Sequence, residues 1–182
     1  MNPQHQLIQY YKLLRQHGLN DSHSGNASIR TKDGFIITRT GACADTIQAE
    51  ELIECSLSKP PSAHASLDAT IHQYIYQQHP HNLVILHAHN PYTIALTLKK
   101  ETFKPIDFEG QLYFSELNVI ECAEKNYLQI MPRRISSALT NKKLTIVRSH
   151  GVYVSVENFD LAYKWICSLE QSAKIKYLAE SL

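Results

Sequence analysis

A chain of 182 residues, 43% hydrophobic and 19% charged, has the composition of one globular domain, which excludes disorder as its main state and leaves too little length for two ordinary domains. Eighteen Lys plus Arg against seventeen Asp plus Glu leave a net charge of +1 with no block of like charges, so neither nucleic acid nor a membrane surface is expected as a partner. The ten histidines stand out, because this ring titrates near neutrality and is the commonest metal ligand.

The N-terminus, MNPQHQLIQYY, lacks the basic start, apolar middle and cleavage site of a secretory signal. The longest apolar stretches, such as Leu83 to Leu86, fall far short of the roughly 20 residues of a membrane span, and a cytoplasmic location is expected. Pro3 and Gly18 bracket a first helix carrying Leu7, Ile8, Tyr11, Leu13 and Leu14. After a turn-rich loop over Asn20 to Asn26, Ala27 to Arg30 and Phe35 to Thr38 flank Asp33-Gly34, a hairpin signal. Glu51 to Ser56 reads as a strand, Lys59-Pro60-Pro61-Ser62 as a loop, and Leu67 to Gln78 as a helix. Leu83 to His89 reads as a buried strand, and Pro91 opens a helix through Leu98. Phe114 to Cys122 contains a strand and Met131 to Leu139 a helix. Strands at Leu144 to Arg148 and Val152 to Val156 flank Ser149-His150-Gly151, and a long helix runs from Asn158 to Leu178, with Asn158 as its cap. The intermixing of hairpins and helices predicts a single α/β domain over residues 1–182, with a central, largely antiparallel sheet covered by helices. The four cysteines, Cys43, Cys55, Cys122 and Cys167, form no CxxC pair and read as reduced thiols.

His87-Ala88-His89 ends an apolar strand, and period-two alternation turns both rings to one face. One metal can accept both. On its own the pair is a weak signal, more often a pair of ordinary hydrogen-bonded histidines than two ligands. His150, followed by a glycine that permits a tight turn, is a candidate third ligand, and three neutral imidazoles leaving an open position are a familiar catalytic zinc arrangement. No lysine lies in an apolar strand setting suited to Schiff-base chemistry, which favours a metal-dependent route.

Ordered motifs run along most of the chain: Ser24-Gly25-Asn26-Ala27-Ser28-Ile29-Arg30, Ile37-Thr38-Arg39-Thr40-Gly41, Ser66-Leu67-Asp68 leading to His72 and Tyr76, His87-Ala88-His89-Asn90-Pro91, and His150-Gly151 before the last helix. In these the sequence resembles the class II aldolase/adducin family, whose members include L-fuculose-phosphate and L-ribulose-phosphate enzymes. The resemblance implies a three-layer α/β/α fold and a divalent metal on His87, His89 and His150, usually Zn2+, with Mn2+, Co2+ or Fe2+ as alternatives. It also implies a small sugar-phosphate substrate and a cytoplasmic homotetramer with sites at subunit interfaces. Asp68 stands where the family commonly has a metal-ligating Glu that serves as acid/base. It retains proton-transfer chemistry but is one methylene shorter. Gly25, Asn26, Thr40, Gly41 and Ser66 match the phosphate-holding loops, where glycine allows backbone N–H groups close to an anion. Leu67 replaces a second Ser of the family pattern, and Arg39 is a candidate compensating charge. Glu109 is the nearest match to a tyrosine acid that some relatives present across a subunit interface, although a surface carboxylate in a turn reads the same way. His72 is expected to buttress the site from its helix. His5, His17, His23, His64, His79 and His81 need no functional role.

The reading that follows is a metal-dependent aldehyde lyase cleaving a small ketose phosphate through a metal-stabilised enediolate. An epimerase or dehydratase using the same chemistry is the alternative, and a non-catalytic assembly domain like the adducin head is a third, opposed by retention of all three histidines.

Overall fold

A computed structural model describes residues 2–182. Among these described residues, six α-helices and eight strands follow in chain order. They are α1 (Pro3–Gln16), β1 (Asn26–Arg30), β2 (Gly34–Thr38), β3 (Leu52–Ser56), α2 (Ala69–Gln78), β4 (Val84–Ala88), α3 (Pro91–Thr97) and β5 (Thr102–Phe103). Then come α4 (Phe108–Tyr113), β6 (Leu117–Ile120), α5 (Tyr127–Ala138), β7 (Leu144–Val147), β8 (Gly151–Val156) and α6 (Phe159–Glu180). The strands form one sheet in the order β3-β2-β1-β4-β8-β7-β6-β5. Every neighbouring pair is antiparallel except β6 with β7, so the largely antiparallel sheet expected from the hairpin signals is present.

Alternation along the central strands sorts the core. Val84, Leu86 and Ala88 of β4, with Val152, Val154 and Val156 of β8, join the apolar faces of α1 and α6 through Leu7, Tyr11, Phe159 and Ile166. Ile85 of β4 and Tyr153 of β8 join α2 and α5 through Ile71, Ile75, Met131 and Ile135. His87 shares the parity of Ile85 and therefore this second face. Each fully buried aliphatic side chain contributes about 1.5–3 kcal/mol. A one-residue slip of β4 would exchange the two faces, and the apolar core thus fixes the face on which His87 stands.

Several boundaries differ from the sequence reading. α2 starts at Ala69, not Leu67, with Asp68 at its N-cap; the Asp68 side chain makes no capping bond and is turned elsewhere. The turn expected around Glu109 is the helix α4, capped by Asp107, whose side chain accepts from Gly110 N at 2.8 Å. The strand expected within Phe114 to Cys122 is Leu117–Ile120. α5 begins four residues before Met131 and carries Pro132 inside it. β5, too short for any periodic signal, pairs with β6.

The segment leaving β4 is fastened to α6. Asn90 Nδ2 donates to Ile166 O at 3.1 Å. The buried Glu170 carboxylate accepts from Tyr92 N (2.8 Å), Thr93 N (3.0 Å) and Thr93 Oγ1 (2.8 Å). A carboxylate at the N-terminal turn of α3 satisfies donors that have no partner within the helix.

Candidate active site

The antiparallel pairing of β4 with β8 sets His87 opposite Tyr153 and Ala88 opposite Val152, which carries the turn between β7 and β8 over the end of β4. His150 sits in that turn. Ser149 before it has φ 61° and Gly151 after it φ 155°, so the ring is aimed by a backbone that L residues seldom adopt. A side chain at Gly151 would run into the carbonyl of Ala88. His89 is fixed through its backbone N, which donates to Asn20 Oδ1 at 2.8 Å and Leu19 O at 3.0 Å.

The three rings converge. His87 Nε2 lies 3.0 Å from His89 Nε2 and 3.3 Å from His150 Nε2, and one donor atom from each ring falls within 4.8 Å of the other two. Nδ1–H of His87 donates to Val152 O at 3.0 Å. That bond fixes the tautomer and leaves the Nε2 lone pair facing the other rings. Burial pushes the His87 pKa well below 6.5, reinforced by the neighbouring His150 and His89. Burial likewise takes His89 to about 4 and lowers His150, against the opposing pull of Asp68. All three are therefore neutral at pH 7, the form that ligates metals. Metal–nitrogen bonds of about 2.0–2.1 Å arranged tetrahedrally put ligand atoms about 3.3 Å apart. The donor set thus fits a divalent cation.

Asp68 stands beside the rings, with Oδ2 3.8 Å from His87 Nε2. Its Oδ2 accepts from Asn26 Nδ2 and from Tyr153 Oη, each at 2.8 Å, and its Oδ1 from Tyr127 Oη at 3.0 Å. Tyr127 Oη is also 3.2 Å from His150 Nδ1 and 2.9 Å from Tyr153 Oη. Burial, and then the Asp68 charge, raise the pKa of both phenols, which keeps them protonated donors. His72 is buried behind this group. Its Nδ1 is 2.7 Å from Ser28 Oγ, and burial lowers its pKa to about 4, in keeping with a buttress rather than a ligand.

A cleft of about 610 Å³ opens onto this cluster, and His87, His89, His150, Asp68, Gly25, Asn26, Thr40, Gly41 and Ser66 all line it. The loops meet because Arg39 bridges Ala65, Thr40 N donates to His64 O at 2.9 Å and Ser66 N to Thr38 O at 3.1 Å. Gly25 and Gly41 have φ 67° and 62°. The side-chain amide of Asn26 is directed at Asp68, and its Oδ1 is buried without a partner. Arg39 lines the cleft but is already paired with Glu51 at 2.7 Å. Glu109 is exposed on α4 and is not among the residues lining the cleft of its own chain. His23 lines the cleft mouth, whereas His79 bonds Ser136 at 3.1 Å.

Sequence reasoning passed over Tyr153 and Tyr127. A signal for Tyr153 was present: in Val152-Tyr153-Val154, alternation places the phenol opposite the valines and on the face of His87. Tyr127 lies in a stretch without usable periodicity, and nothing in the sequence marks it.

Three similarities accompany this geometry. L-fuculose phosphate aldolase of Escherichia coli K12 is 26% identical over 155 residues, covering 80% of this chain and 68% of that protein. Methylthioribulose-1-phosphate dehydratase of Pseudoalteromonas translucida is 25% identical over 191 residues, covering 91% of this chain and 90% of the relative. The crystal structure of L-fuculose-1-phosphate aldolase from Thermus thermophilus superposes with a TM-score of 0.89 at 27% identity, covering 97% of this chain and 93% of that one. A fold that superposes on a solved relative, a histidine triad gathered at one end of β4 and β8, and a family model matched over residues 5–177 lead to one assignment: the chain belongs to the class II aldolase and adducin N-terminal domain family.

Proposed function

We propose that this protein is a metal-dependent aldehyde lyase that cleaves a small ketose phosphate, of the fuculose, ribulose or deoxyribulose phosphate type, into a ketone phosphate and an aldehyde. The observation that carries the reading is the convergence of three imidazole Nε2 atoms beside a buried carboxylate at the floor of an open cleft. A divalent cation on His87, His89 and His150, Zn2+ or alternatively Mn2+, Co2+ or Fe2+, would supply Lewis-acid stabilisation of negative charge developing on the substrate carbonyl oxygen. As the carbon–carbon bond breaks, the hydroxyl that becomes the aldehyde oxygen gives up a proton and the carbon left behind gains one, and Asp68, after taking up a proton, would deliver it to that carbon. Glu109, reaching in from an adjacent copy, would act at the aldehyde oxygen.

Gly25, Asn26, Thr40, Gly41 and Ser66 form the proposed phosphate end. Support comes from the two left-handed glycines, a conformation that can group backbone N–H groups around an anion, and from the net charge of only +1, which gives local loops the work of holding it. Asn26 has a second duty, since its amide holds Asp68.

Several features belong to the same reading. One domain over residues 1–182 with a three-layer α/β/α arrangement is supported by the two core clusters on opposite faces of one sheet. A homotetramer with interfacial sites is supported by the exposed Phe108 (82%) and Leu112 (68%) on α4, the helix of Glu109. The four cysteines are free, in keeping with a cytoplasmic location. Among the described residues, no helix is long and apolar enough to cross a membrane.

Dehydration is a second reading, favoured by the methylthioribulose-1-phosphate dehydratase relative, which is 25% identical against 26% for the aldolase and matches over more of its length. Metal-loaded protein incubated with a panel of ketose phosphates, followed for aldehyde release, epimer formation and loss of water, separates the reactions. Aldehyde release is expected; a dehydrated or epimerised product without aldehyde would replace the lyase assignment.

A further inference from the structure

We infer that Tyr127 is a positioning residue for His150: its phenol oxygen accepts from Nδ1–H of that ring and so turns the Nε2 lone pair of His150 toward the point where the three rings meet. The inference rests on the metal reading proposed above and deepens it.

A count of protons fixes the direction of the bond. Tyr127 has one O–H, and Asp68 Oδ1 lies 3.0 Å from it. An ionised carboxylate only accepts, and it binds a donor more strongly than a neutral acceptor does, so the proton of Tyr127 goes to Asp68. Burial, and then the Asp68 charge, raise the pKa of this phenol and keep the proton on it. Tyr153 commits its own proton to Asp68 Oδ2 at 2.8 Å. The two phenol oxygens approach to 2.9 Å because they share one carboxylate. Neither has a proton left for His150 Nδ1, which lies 3.2 Å from Tyr127 Oη, and the imidazole supplies it.

Among the described residues, this is the one hydrogen bond that the His150 ring makes outside the triad. His150 stands half-buried in a turn, and Tyr127, the first residue of α5, ties that turn through Asp68 to the N-cap of α2. His87 has the same device in another form, its Nδ1–H donating to Val152 O at 3.0 Å. Two of the three rings thus present Nε2 because the opposite nitrogen is held, one by a backbone carbonyl and the other by a side chain that a single substitution removes. Without the phenol oxygen, the acceptor left to His150 is His87 Nε2, 3.3 Å from its own Nε2. A proton placed there occupies the lone pair that a cation needs.

NMR of metal-stripped protein carrying nitrogen-labelled histidine reads the tautomer directly, with His150 assigned by its absence from His150→Gln. Native His150 should carry its proton on Nδ1, and Tyr127→Phe should move it to Nε2. Tyr153→Phe removes a hydroxyl that meets no ring nitrogen and should leave it on Nδ1, which a general loosening of the site would not. Zinc affinity, measured by competition with a chromophoric chelator, should fall about 10–100-fold in Tyr127→Phe. A native His150 protonated on Nε2, a tautomer unmoved in Tyr127→Phe, or undiminished zinc affinity in that variant would overturn the inference. Should Tyr127→Phe fail to fold by circular dichroism, the native spectrum decides. The metal reading fails separately, through a folded native protein that takes up no zinc, whereas zinc bound by a native protein with His150 protonated on Nε2 when metal-free overturns the role of Tyr127 alone.

Discussion

The ring of Tyr153 lies flat on that of His87, 3.9 Å between centroids and 8° between planes, while its hydroxyl donates to Asp68 at 2.8 Å. One phenol therefore ties the carboxylate of the α2 N-cap to the central imidazole of the triad. The contact follows from register, since His87 and Tyr153 are directly opposed on β4 and β8, and cross-strand neighbours on one face are the closest side-chain pairs in a sheet. The β4–β8 register thus sets this pair, and the β7–β8 turn with His150 and the α2 N-cap with Asp68 complete the site.

Replacing Asp68 by Asn preserves the size of the side chain and removes its capacity to carry the proton. Turnover should fall by about 100-fold or more, with bound metal retained. Steady-state rates and metal content on the same sample check this, and unchanged turnover would reject the acid/base role.

Gly151→Ala places a methyl group against the carbonyl of Ala88 and imposes a side chain on a residue with φ 155°. A loss of about 2 kcal/mol or more is expected. Denaturant unfolding measures it, and metal content should fall in parallel because His150 is displaced.

Glu170→Ala removes a buried carboxylate that holds two backbone N–H groups and one hydroxyl at the start of α3. Leaving these donors without a partner should cost about 2–3 kcal/mol. The site lies close by, because α3 continues directly from His89-Asn90, and weakened metal retention should accompany the lower unfolding midpoint.

The metal-free protein should be acid-labile in a defined window. His89 and His72 are lowered to about 4 by burial, and His87 lies well below 6.5. The unfolded chain thus binds more protons than the folded one between its ordinary histidine pKa of about 6.5 and about 4. Stability is fully present above pH 6.5 and is lost as pH falls toward and through about 4. Unfolding midpoints of metal-free protein across pH 4 to 8 check the sign, which is contradicted by a midpoint that rises on acidification.

Much of this was legible in the sequence. The His87/His89 parity, the Gly151 turn and the hairpin around Asp33-Gly34 are local patterns with a period of two or a steric requirement, and they survive folding. The orientation of Asp68 was not legible: an aspartate at a helix start ordinarily caps the helix, and only tertiary donors from β1, β8 and α5 turn it toward the triad. Tyr127 and α4 escaped for a related reason. Neither segment presents an apolar periodicity long enough to declare a helix, and their structure is set by contacts with distant elements. Glu109 was found as a residue but not as a neighbour of the cleft, since the role proposed for it depends on a second copy of the chain.

In the proposed function His87, His89 and His150 hold a divalent cation. Elemental analysis of native protein purified without chelator, alongside His87→Ala, decides whether they do. About one divalent ion per chain in the native protein, lost in the variant, is the expected result. No stoichiometric ion in the native protein, or undiminished metal in folded His87→Ala, would contradict it.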